Sequence, residues 1–468
     1  MLPTPKNWSV FPSVMVADKP CEMVISANER AFFFQDGEEY TVVIISVNGD
    51  EFNYYNPQTH KTLSAVAAEG VLRFTFAFVG EGEHKIVVKK NDKSLAELFV
   101  YSLYDDLYEL VPLRGDFHGH SCRSDGKRDP VALAGHYREQ GYDFFSLTDH
   151  NRFYPGFEVD EAYEGVKTGI TRIQGEEVHS PGSDLHIVHV CGETSVAAQY
   201  CDDREKYDSE VAECMSRVPA NIPERYKNRY AKAMWATEKI HEAGGVAIFP
   251  HPYWIPGSSV YNACDELSKI LLKSGMFDAF ELCGAMRADG NNRALALWQE
   301  LRVDGYDIKV VASSDVHSIQ NSFSFPNSFT VCFARENTRE AIKEALLNAK
   351  TVAVEAEGVE YSRHYRTYGS LRLISYAQFL LKYYFPIRER ICQGGGVAMR
   401  AYAIGEAPAE LVELSCDLAE RFSLRFFGRM PARIPSAEQM NFEERCRARQ
   451  ALGPKTAGSI VYPDYPVE

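Results

Sequence analysis

The chain has 468 residues, of which 45% are hydrophobic and 25% are charged, and this is typical of a folded globular protein long enough for several domains. Its formal net charge of -15 argues against a broad nucleic-acid-binding surface and against adhesion to an anionic membrane. The 11 cysteines are an odd number, stand singly and form no C-x-x-C pair. With no basic leader and no apolar run long enough to span a bilayer, we expect a reduced, cytoplasmic protein.

Residues 1–110 have the short, regularly spaced strands of a small β-sandwich. Glu39–Asn48 and Glu51–Tyr55 flank the turn-forming pair Gly49-Asp50 and predict a hairpin. Val71–Val79 and His84–Lys89 repeat this pattern around another turn. We interpret the region as a packing module, and substrate gating or homo-oligomer formation is the functional alternative.

From residue 111 onward, strands and helices alternate, which predicts a parallel sheet closed or nearly closed as a barrel. The first predicted helix, 130–140, has Asp129 as its N-cap, Pro130 at its first position and Gly141 after its last residue. Residues 199–228 are polar and predict an inserted loop or lid. The predicted strands are 114–118, 143–147, 170–174, 185–190, 246–249, 279–282 and 309–312, and the later helices are 229–242, 265–273 and 291–302.

The last region, residues 353–468, predicts a mixed or helical extension of uncertain fold. Tyr376–Tyr384 and Ala409–Phe422 have helical patterns, and Gly394–Gly396 predicts a flexible break between them. We therefore divide the chain into 1–110, 111–352 and 353–468.

Candidate metal ligands stand at or just beyond the ends of the predicted strands, where active sites of parallel α/β proteins form. His118 and His120 are two positions apart at one strand end, so their side chains point the same way. A set that is mostly imidazole, with a few carboxylates and no thiolate, suits Zn, Mn or Fe. The set comprises His118, His120, Asp125, His150, Glu177, His251, Asp315 and His317.

Two choices stay open. Glu176 and Glu177 compete for one role because a strand alternates its faces, and we favour Glu177. His186 and His189 would lie on opposite sides of a strand, so either could be the ligand. Asp149 is expected to orient His150 or its loop.

Five motifs resemble the PHP (polymerase and histidinol phosphatase) family: His118-Gly119-His120-Ser121 to Ser124-Asp125-Gly126, Leu147-Thr148-Asp149-His150-Asn151, Gly175-Glu176-Glu177, His251-Pro252, and Ser314-Asp315-Val316-His317. The resemblance covers roughly residues 112–335. It implies a distorted seven-stranded (β/α) barrel that holds two or three divalent metal ions, Zn, Mn or Fe. The ligands that it implies are the eight residues above, with His186 as a ninth.

These observations predict a metal-dependent phosphoesterase that hydrolyses a small phosphorylated molecule through a metal-activated hydroxide. The alternative is hydrolysis of a carbamate, ester or amide bond at the same site, and a non-catalytic binding module is disfavoured by the intact ligand set. Long nucleic acid is not expected as a substrate. The predicted catalytic residues are His118, His120, Asp125, His251 and Asp315, and the arginines predicted to bind the anion are Arg123, Arg152 and Arg287.

Overall fold

The computed structural model describes residues 7–47, 60–257, 260–284, 286–320, 322–358 and 363–451. These form two compact units. One unit comprises residues 109–420, and the other comprises residues 3–108 together with 421–468. The region 353–468, which the sequence left without a fold, is therefore divided between the two units.

The unit that contains the N-terminal region is built from two sheets around one core. A three-stranded sheet has the order β1-β3-β6, and a five-stranded sheet has the order β2-β8-β7-β4-β5. The predicted turn at 49–50 and strand at 51–55 lie outside the described residues. The elements are β1 (Trp8–Phe11), β2 (Val14–Val16), β3 (Pro20–Ala27), β4 (Glu39–Ser46), β5 (Lys61–Val66), β6 (Leu72–Ala77), β7 (Gly82–Lys90), β8 (Lys93–Leu103) and the short helix α1 (Asp105–Tyr108).

Alternating burial along these strands explains why the sheets pack. Ile25 of β3 and Val42 of β4 are fully buried, and so are Ile86 of β7 and Val100 of β8. All four belong to one hydrophobic cluster that draws on both sheets. Such a face-to-face arrangement is what the sequence predicted for a small β-sandwich.

The other unit contains a ten-stranded sheet of order β15-β14-β13-β12-β11-β10-β9-β16-β17-β18. Its two ends approach each other, since Thr351 of β17 donates a side-chain hydrogen bond to the Val310 carbonyl of β15 over 3.1 Å. The strands are β9 (Val111–Asp116), β10 (Phe144–Leu147), β11 (Thr171–Val178), β12 (Ile187–Val190), β13 (Val246–Phe249), β14 (Ala279–Cys283), β15 (Val310–Ala312), β16 (Ser328–Ala334), β17 (Thr351–Glu357) and β18 (His364–Tyr368).

The sheet is thus nearly closed and barrel-like, but the prediction of a seven-stranded (β/α) barrel was wrong. β12 pairs antiparallel with both β11 and β13, and β16 pairs antiparallel with β9. Residues 179–186 between β11 and β12 contain no helix. A parallel return needs a crossover of a dozen or more residues, so the chain reverses here instead.

Helices surround this sheet, and the first follows the predicted pattern. The Asp129 side chain accepts hydrogen bonds from the Val131 and Ala132 amides, Pro130 occupies the first turn, and Gly141 has a φ of 77° after the helix end. The helices are α2 (Pro130–Glu139), α3 (Pro155–Ala162), α4 (Ala197–Asp202), α5 (Arg204–Arg217), α6 (Glu224–Glu242), α7 (Asp265–Lys273), α8 (Ala288–Val303) and α9 (Arg339–Leu347).

The segment 199–228 is helical, so the prediction of a loop or lid was wrong in its local structure. Tyr207, Val211 and Cys214 are buried at helical spacing on α5. The ring of Tyr207 meets the ring of Trp235 on α6 edge to face, with centroids 4.7 Å apart. The mostly polar segment therefore contains one apolar stripe, which lies along α5.

Three further helices follow: α10 (Leu371–Tyr383), α11 (Phe385–Ala403) and α12 (Ala409–Phe426). The predicted flexible break at Gly394–Gly396 was wrong, because these glycines lie inside α11. Gly396 packs against α2, where a Cβ atom on residue 396 would collide with the backbone of Gly135 and Glu139. The glycines thus permit close helix packing rather than a bend.

The last helix, α13 (Ala437–Ala451), belongs to the unit of the N-terminal strands. Arg447 on this helix donates to the Phe33 carbonyl over 2.9 Å.

Among the described residues, no helix is long and apolar enough to cross a membrane.

Candidate metal centre

The edge of the barrel-like sheet gathers the predicted ligands because the strands end there together. His118 and His120 follow β9, His150 follows β10, and His251 follows β13. Asp315 and His317 come after β15. His186 precedes β12, and because β12 runs antiparallel to its neighbours, its beginning lies at the edge where β11 and β13 end.

The inner part of the cluster contains two imidazoles and two carboxylates and is buried except for Asp315, whose side chain is 10% exposed. The Nε2 atoms of His118 and His120 are 3.2 Å apart. Asp315 Oδ1 lies 3.2 Å from His118 Nε2 and 2.9 Å from His120 Nε2. Glu177 places its two oxygens 3.6 Å and 3.5 Å from the same two nitrogens. Four ligand-type side chains therefore converge on one small volume.

The outer part of the cluster is more exposed. Asp125, with a side chain 54% exposed, lies 3.2 Å from His317 Nε2 and 3.5 Å from His150 Nε2. Its oxygen is also 3.8 Å from His120 Nδ1. His120, Asp125, His150 and His317 each offer one atom within 4.8 Å of the others, a spacing that could hold an ion.

Glu177 is the most connected residue of the site. Its oxygens lie 2.7 Å from His150 Nδ1, 2.8 Å from His186 Nδ1 and 3.2 Å from His251 Nε2. The structure thus brings into the cluster Glu177, which the sequence favoured, and His186, which the family resemblance implied while the strand pattern left it open against His189. The competing residues Glu176 and His189 are buried elsewhere and face each other across β11 and β12, 3.2 Å apart.

Backbone conformation at the site is unusual for residues with side chains. His251 has a φ of 23°, Asp315 of 47° and Asn151 of 54°. Each such left-handed conformation costs on the order of 1–3 kcal/mol and persists only where surrounding contacts impose it. The Asp315 amide, for instance, donates to the His118 carbonyl over 2.9 Å.

Two aspartates hold the loops that carry the ligands. Asp149 accepts hydrogen bonds from the backbone and hydroxyl groups of Ser121 and Ser124, so it orients the loop after His120, whereas the sequence had assigned it to His150 or its loop. Asp116 accepts from the Ser314 amide and from the Tyr137 hydroxyl, both over 3.0 Å. Burial raises the pKa of Asp116 to about 6 despite these donors.

Sequence reasoning missed Glu281, a fully buried residue of β14. Its Oε2 lies 3.0 Å from His118 Nδ1. A carboxylate on one ring nitrogen directs the other nitrogen of a histidine toward a metal. No motif marked Glu281, and a single acidic residue within an apolar strand, Ala279–Cys283, was the available signal.

The electrostatics of the cluster favour positive charge. Burial opposes protonation of His118, but Asp315, Glu177 and Glu281 outweigh it and raise the pKa of His118 well above its usual value. His150 is shielded from water as well, yet Asp125 and Glu177 raise its pKa to about 10. At His120 and His186 burial prevails instead and lowers the pKa, to about 4 for His186. The carboxylates that hold protons on His118 and His150 would also attract a divalent cation.

The donor set fits divalent metal ions. Glu177 Oε2 and His150 Nδ1 are 2.7 Å apart, and Asp315 Oδ1 is 2.9 Å from His120 Nε2, but these atoms and the buried His251 Nδ1 make no well-aligned hydrogen bond within the described part of the chain. Buried polar groups are nearly always satisfied, so such a concentration of open donors and acceptors indicates a ligand. Two ligand atoms that share a Zn-sized ion are about 3.0–3.4 Å apart, close to the spacings found here. We therefore find that these residues can hold transition-metal ions.

The predicted anion-binding arginines lie away from this cavity. A cavity of about 400 Å³ opens on the cluster, and none of the three is among its lining residues. Arg123 is paired with Glu158 over 2.7 Å, Arg152 is exposed, and Arg287 is exposed at the start of α8. The lining beyond the candidate ligands consists of Trp254, Ser318, Ser322, Phe323 and Ser324.

The similarity to known proteins extends over part of the chain. No family model matches the chain. A 5'-3' exoribonuclease of Haemophilus influenzae is 25% identical over 259 residues, an alignment that covers 43% of this chain and 89% of that protein.

Two solved structures are also similar. One is a two-domain protein from Bacteroides vulgatus described as containing a predicted PHP-like metal-dependent phosphoesterase, with 20% identity, a TM-score of 0.37, and coverage of 54% of this chain and 73% of that one. The other is an amidohydrolase from Chromobacterium violaceum with bound sulfate and no metal, with 18% identity, a TM-score of 0.30, and coverage of 45% and 89%. The PHP family predicted from the motifs is thus also named among the structural neighbours.

Proposed function

We propose that this protein is a metal-dependent hydrolase of the PHP type that cleaves a phosphate ester of a small molecule. The observation that carries the proposal is the convergence of nine predicted ligand side chains in one cluster, seven of which line a cavity. Two features support a small substrate: the cavity volume of about 400 Å³ is of the size that encloses small molecules, and the chain's net charge of -15 disfavours long nucleic acid.

The candidate ligands form an inner and an outer group. His118, His120, Glu177 and Asp315 would hold metal in the enclosed part, and Asp125, His150 and His317 would hold it toward the opening. When bound, divalent ions would acidify a water molecule and neutralise charge on a phosphate. Glu281 would keep His118 Nε2 turned inward, and Asp149 would fix the loop of Ser121 and Ser124.

Anion binding would rest on the metal and on hydroxyl groups rather than on the predicted arginines. Ser318 and Ser322 line the cavity and carry hydroxyls that can donate to phosphate oxygens. Trp254, beside His186 and His251 with ring centroids 5.5 Å and 5.8 Å away, would exclude water from that wall.

The experiment compares metal-stripped protein with protein reloaded with Mn, Zn or Fe. From a panel of small phosphate esters, we expect release of phosphate from monoesters, or of an alcohol and a monoester from diesters, only after reloading. His120→Ala should lose both the bound metal and turnover, by a factor on the order of 10³ or more. His364→Ala, at an exposed histidine of β18, is the matched control and should keep both. Full activity of the stripped protein would refute the proposal.

Two further arms of the same panel test the alternatives. The Chromobacterium violaceum neighbour is named an amidohydrolase, so carbamate, ester and amide substrates are included. The Haemophilus influenzae relative is named an exoribonuclease, so a short 5'-phosphorylated RNA is included as well. Turnover of amides or of RNA without release from small phosphate esters would reassign the substrate class. The predicted homo-oligomer through the N-terminal β-unit stays a prediction that light scattering would test.

A further inference from the structure

His179 is a histidine beside the cluster that neither the motifs nor the predicted ligand set included. It directly follows β11, two residues after Glu177. Its ring centroid lies 4.4 Å from that of His150 and 3.8 Å from that of His186. A third imidazole therefore stands beside two candidate ligands at the opening of the centre.

The ring nitrogen of His179 is placed as an additional ligand would be. His179 Nε2 lies 3.6 Å from Glu177 Oε2, which in turn is 2.7 Å from His150 Nδ1. These three atoms all lie within 4.8 Å of one another. The separation of 3.6 Å is too long for a hydrogen bond and close to that of two atoms sharing an ion.

The same nitrogen is buried although the side chain as a whole is 27% exposed. In the described part of the chain, His179 Nε2 is a buried atom without a hydrogen-bond partner, and His150 Nδ1 and Glu177 Oε2, although 2.7 Å apart, make no well-aligned hydrogen bond. A metal ion bound by all three atoms would satisfy His179 Nε2.

The backbone at His179 is fixed from two sides. The His179 amide donates to Asn151 Oδ1 over 2.8 Å, and the Tyr200 hydroxyl of α4 donates to the same oxygen over 2.5 Å. Asn151 follows His150 directly and holds a left-handed conformation with a φ of 54°. One asparagine thus ties the loop of His150 to the end of β11, which sets the spacing between the two imidazoles.

We propose that His179 is a further metal ligand, which with His150 and Glu177 forms an additional corner of the metal centre at the cavity opening. This corner takes a divalent transition metal, because its atoms are two imidazole nitrogens and one carboxylate oxygen. The inference concerns metal binding alone and is independent of which bond the enzyme hydrolyses.

The test counts bound metal without using activity. Stripped protein is titrated with MnCl₂, free Mn²⁺ is followed by its electron paramagnetic resonance signal, and retained metal is measured by elemental analysis after gel filtration. We expect His179→Ala to bind one equivalent fewer than the unmodified protein, or to bind one equivalent at least about tenfold more weakly, since even contacts one step removed from a metal contribute that much.

Two more variants make the result decisive. His179→Gln keeps a polar side chain of similar length but not the imidazole, and it should show the same loss. His364→Ala removes an exposed histidine of β18 and should titrate like the unmodified protein. Circular dichroism verifies folding, and if the alanine variant does not fold, the glutamine variant decides. A wild-type titration for His179→Gln would overturn the proposal, whether or not turnover changes.

Discussion

The two ends of the barrel-like sheet bury charged groups in opposite ways. At the end where β9, β10 and β13 finish, Glu177, Asp315 and their histidines leave several buried atoms without hydrogen-bond partners. At the end where β10 begins, Asp143 is paired with Arg388 of α11. The innermost residues at both ends are buried, so the difference lies in what completes each network.

The second network is completed by the protein itself. Asp143 also accepts from the Arg114 amide over 2.9 Å, and the Arg114 guanidinium reaches Glu389 Oε2 over 2.9 Å. The same guanidinium lies over the rings of Tyr142 and Phe329, 4.5 Å and 4.1 Å from their centroids. Except for Arg114 Nε, which lacks a hydrogen-bond partner among the described residues, charge is here matched by charge, backbone and aromatic faces.

The contrast separates architecture from function. A buried ion pair with its partners in place joins α11 to the sheet and needs nothing further. A buried cluster with open atoms is costly unless a ligand fills it, and this cost is accepted at sites that bind. Substitutions in the closed network should therefore change the free energy of unfolding, and substitutions in the open cluster should change metal binding.

The largest effect is expected for Arg388→Met at the closed network. The variant leaves Asp143 buried without its charged partner, so the free energy of unfolding of this unit should fall by about 3–5 kcal/mol. Trp235, Trp254 and Trp298 all lie in this unit, so urea unfolding in a Trp8→Phe background reports it by fluorescence. Bound metal per folded protein should not change.

Arg390→Met is the matched control for that variant. Arg390 stands two residues away on α11 and is exposed, so its loss should change stability by less than about 0.5 kcal/mol. Equal destabilisation by both substitutions would contradict the assignment of Arg388 to a buried network.

A somewhat smaller effect is expected when metal is added. Metal that binds only the folded centre stabilises it by about 2.7 kcal/mol when free metal is 100 times its Kd. Because the two networks are at opposite ends and share no residue, Arg388→Met should gain the same increment as the unmodified protein. Different increments in the two proteins would show that the ends are coupled.

The sequence predicted the site better than the sheet. His118, His120, His251 and Asp315 could be recognised because strand ends in an α/β pattern converge whether or not every strand is parallel. The direction of β12 could not be recognised, since periodicity reports which residues are buried but not the orientation of a short strand. Although β12 runs antiparallel to its neighbours, His186 still lies at the edge of the sheet that carries the other candidate ligands.

Residues that act through a neighbour were harder to find. Glu281 and Asp116 are fully buried acidic residues whose role exists only through contacts with His118 and Ser314, residues distant in the chain. The glycines of α11 were misinterpreted for a related reason. Glycine in a sequence predicts flexibility, and only the presence of α2 against Gly396 turns it into a packing surface.

The smallest of these effects, and the most specific to the open end, is expected for Glu281→Gln. The amide keeps the size of the side chain and can still accept a hydrogen bond from His118 Nδ1, but it removes the negative charge that strengthens His118 as a ligand. We expect the Kd for Mn²⁺ to rise by about 10–100-fold, or about 1.4–2.7 kcal/mol.

Glu300→Gln, at an exposed residue of α8, should leave the Kd unchanged. Because Glu281 serves the open cluster and not the closed network, urea unfolding of the metal-free variant should match that of the unmodified protein to within about 1 kcal/mol. An unchanged Kd together with a large loss of metal-free stability would show instead that Glu281 supports the sheet rather than the metal.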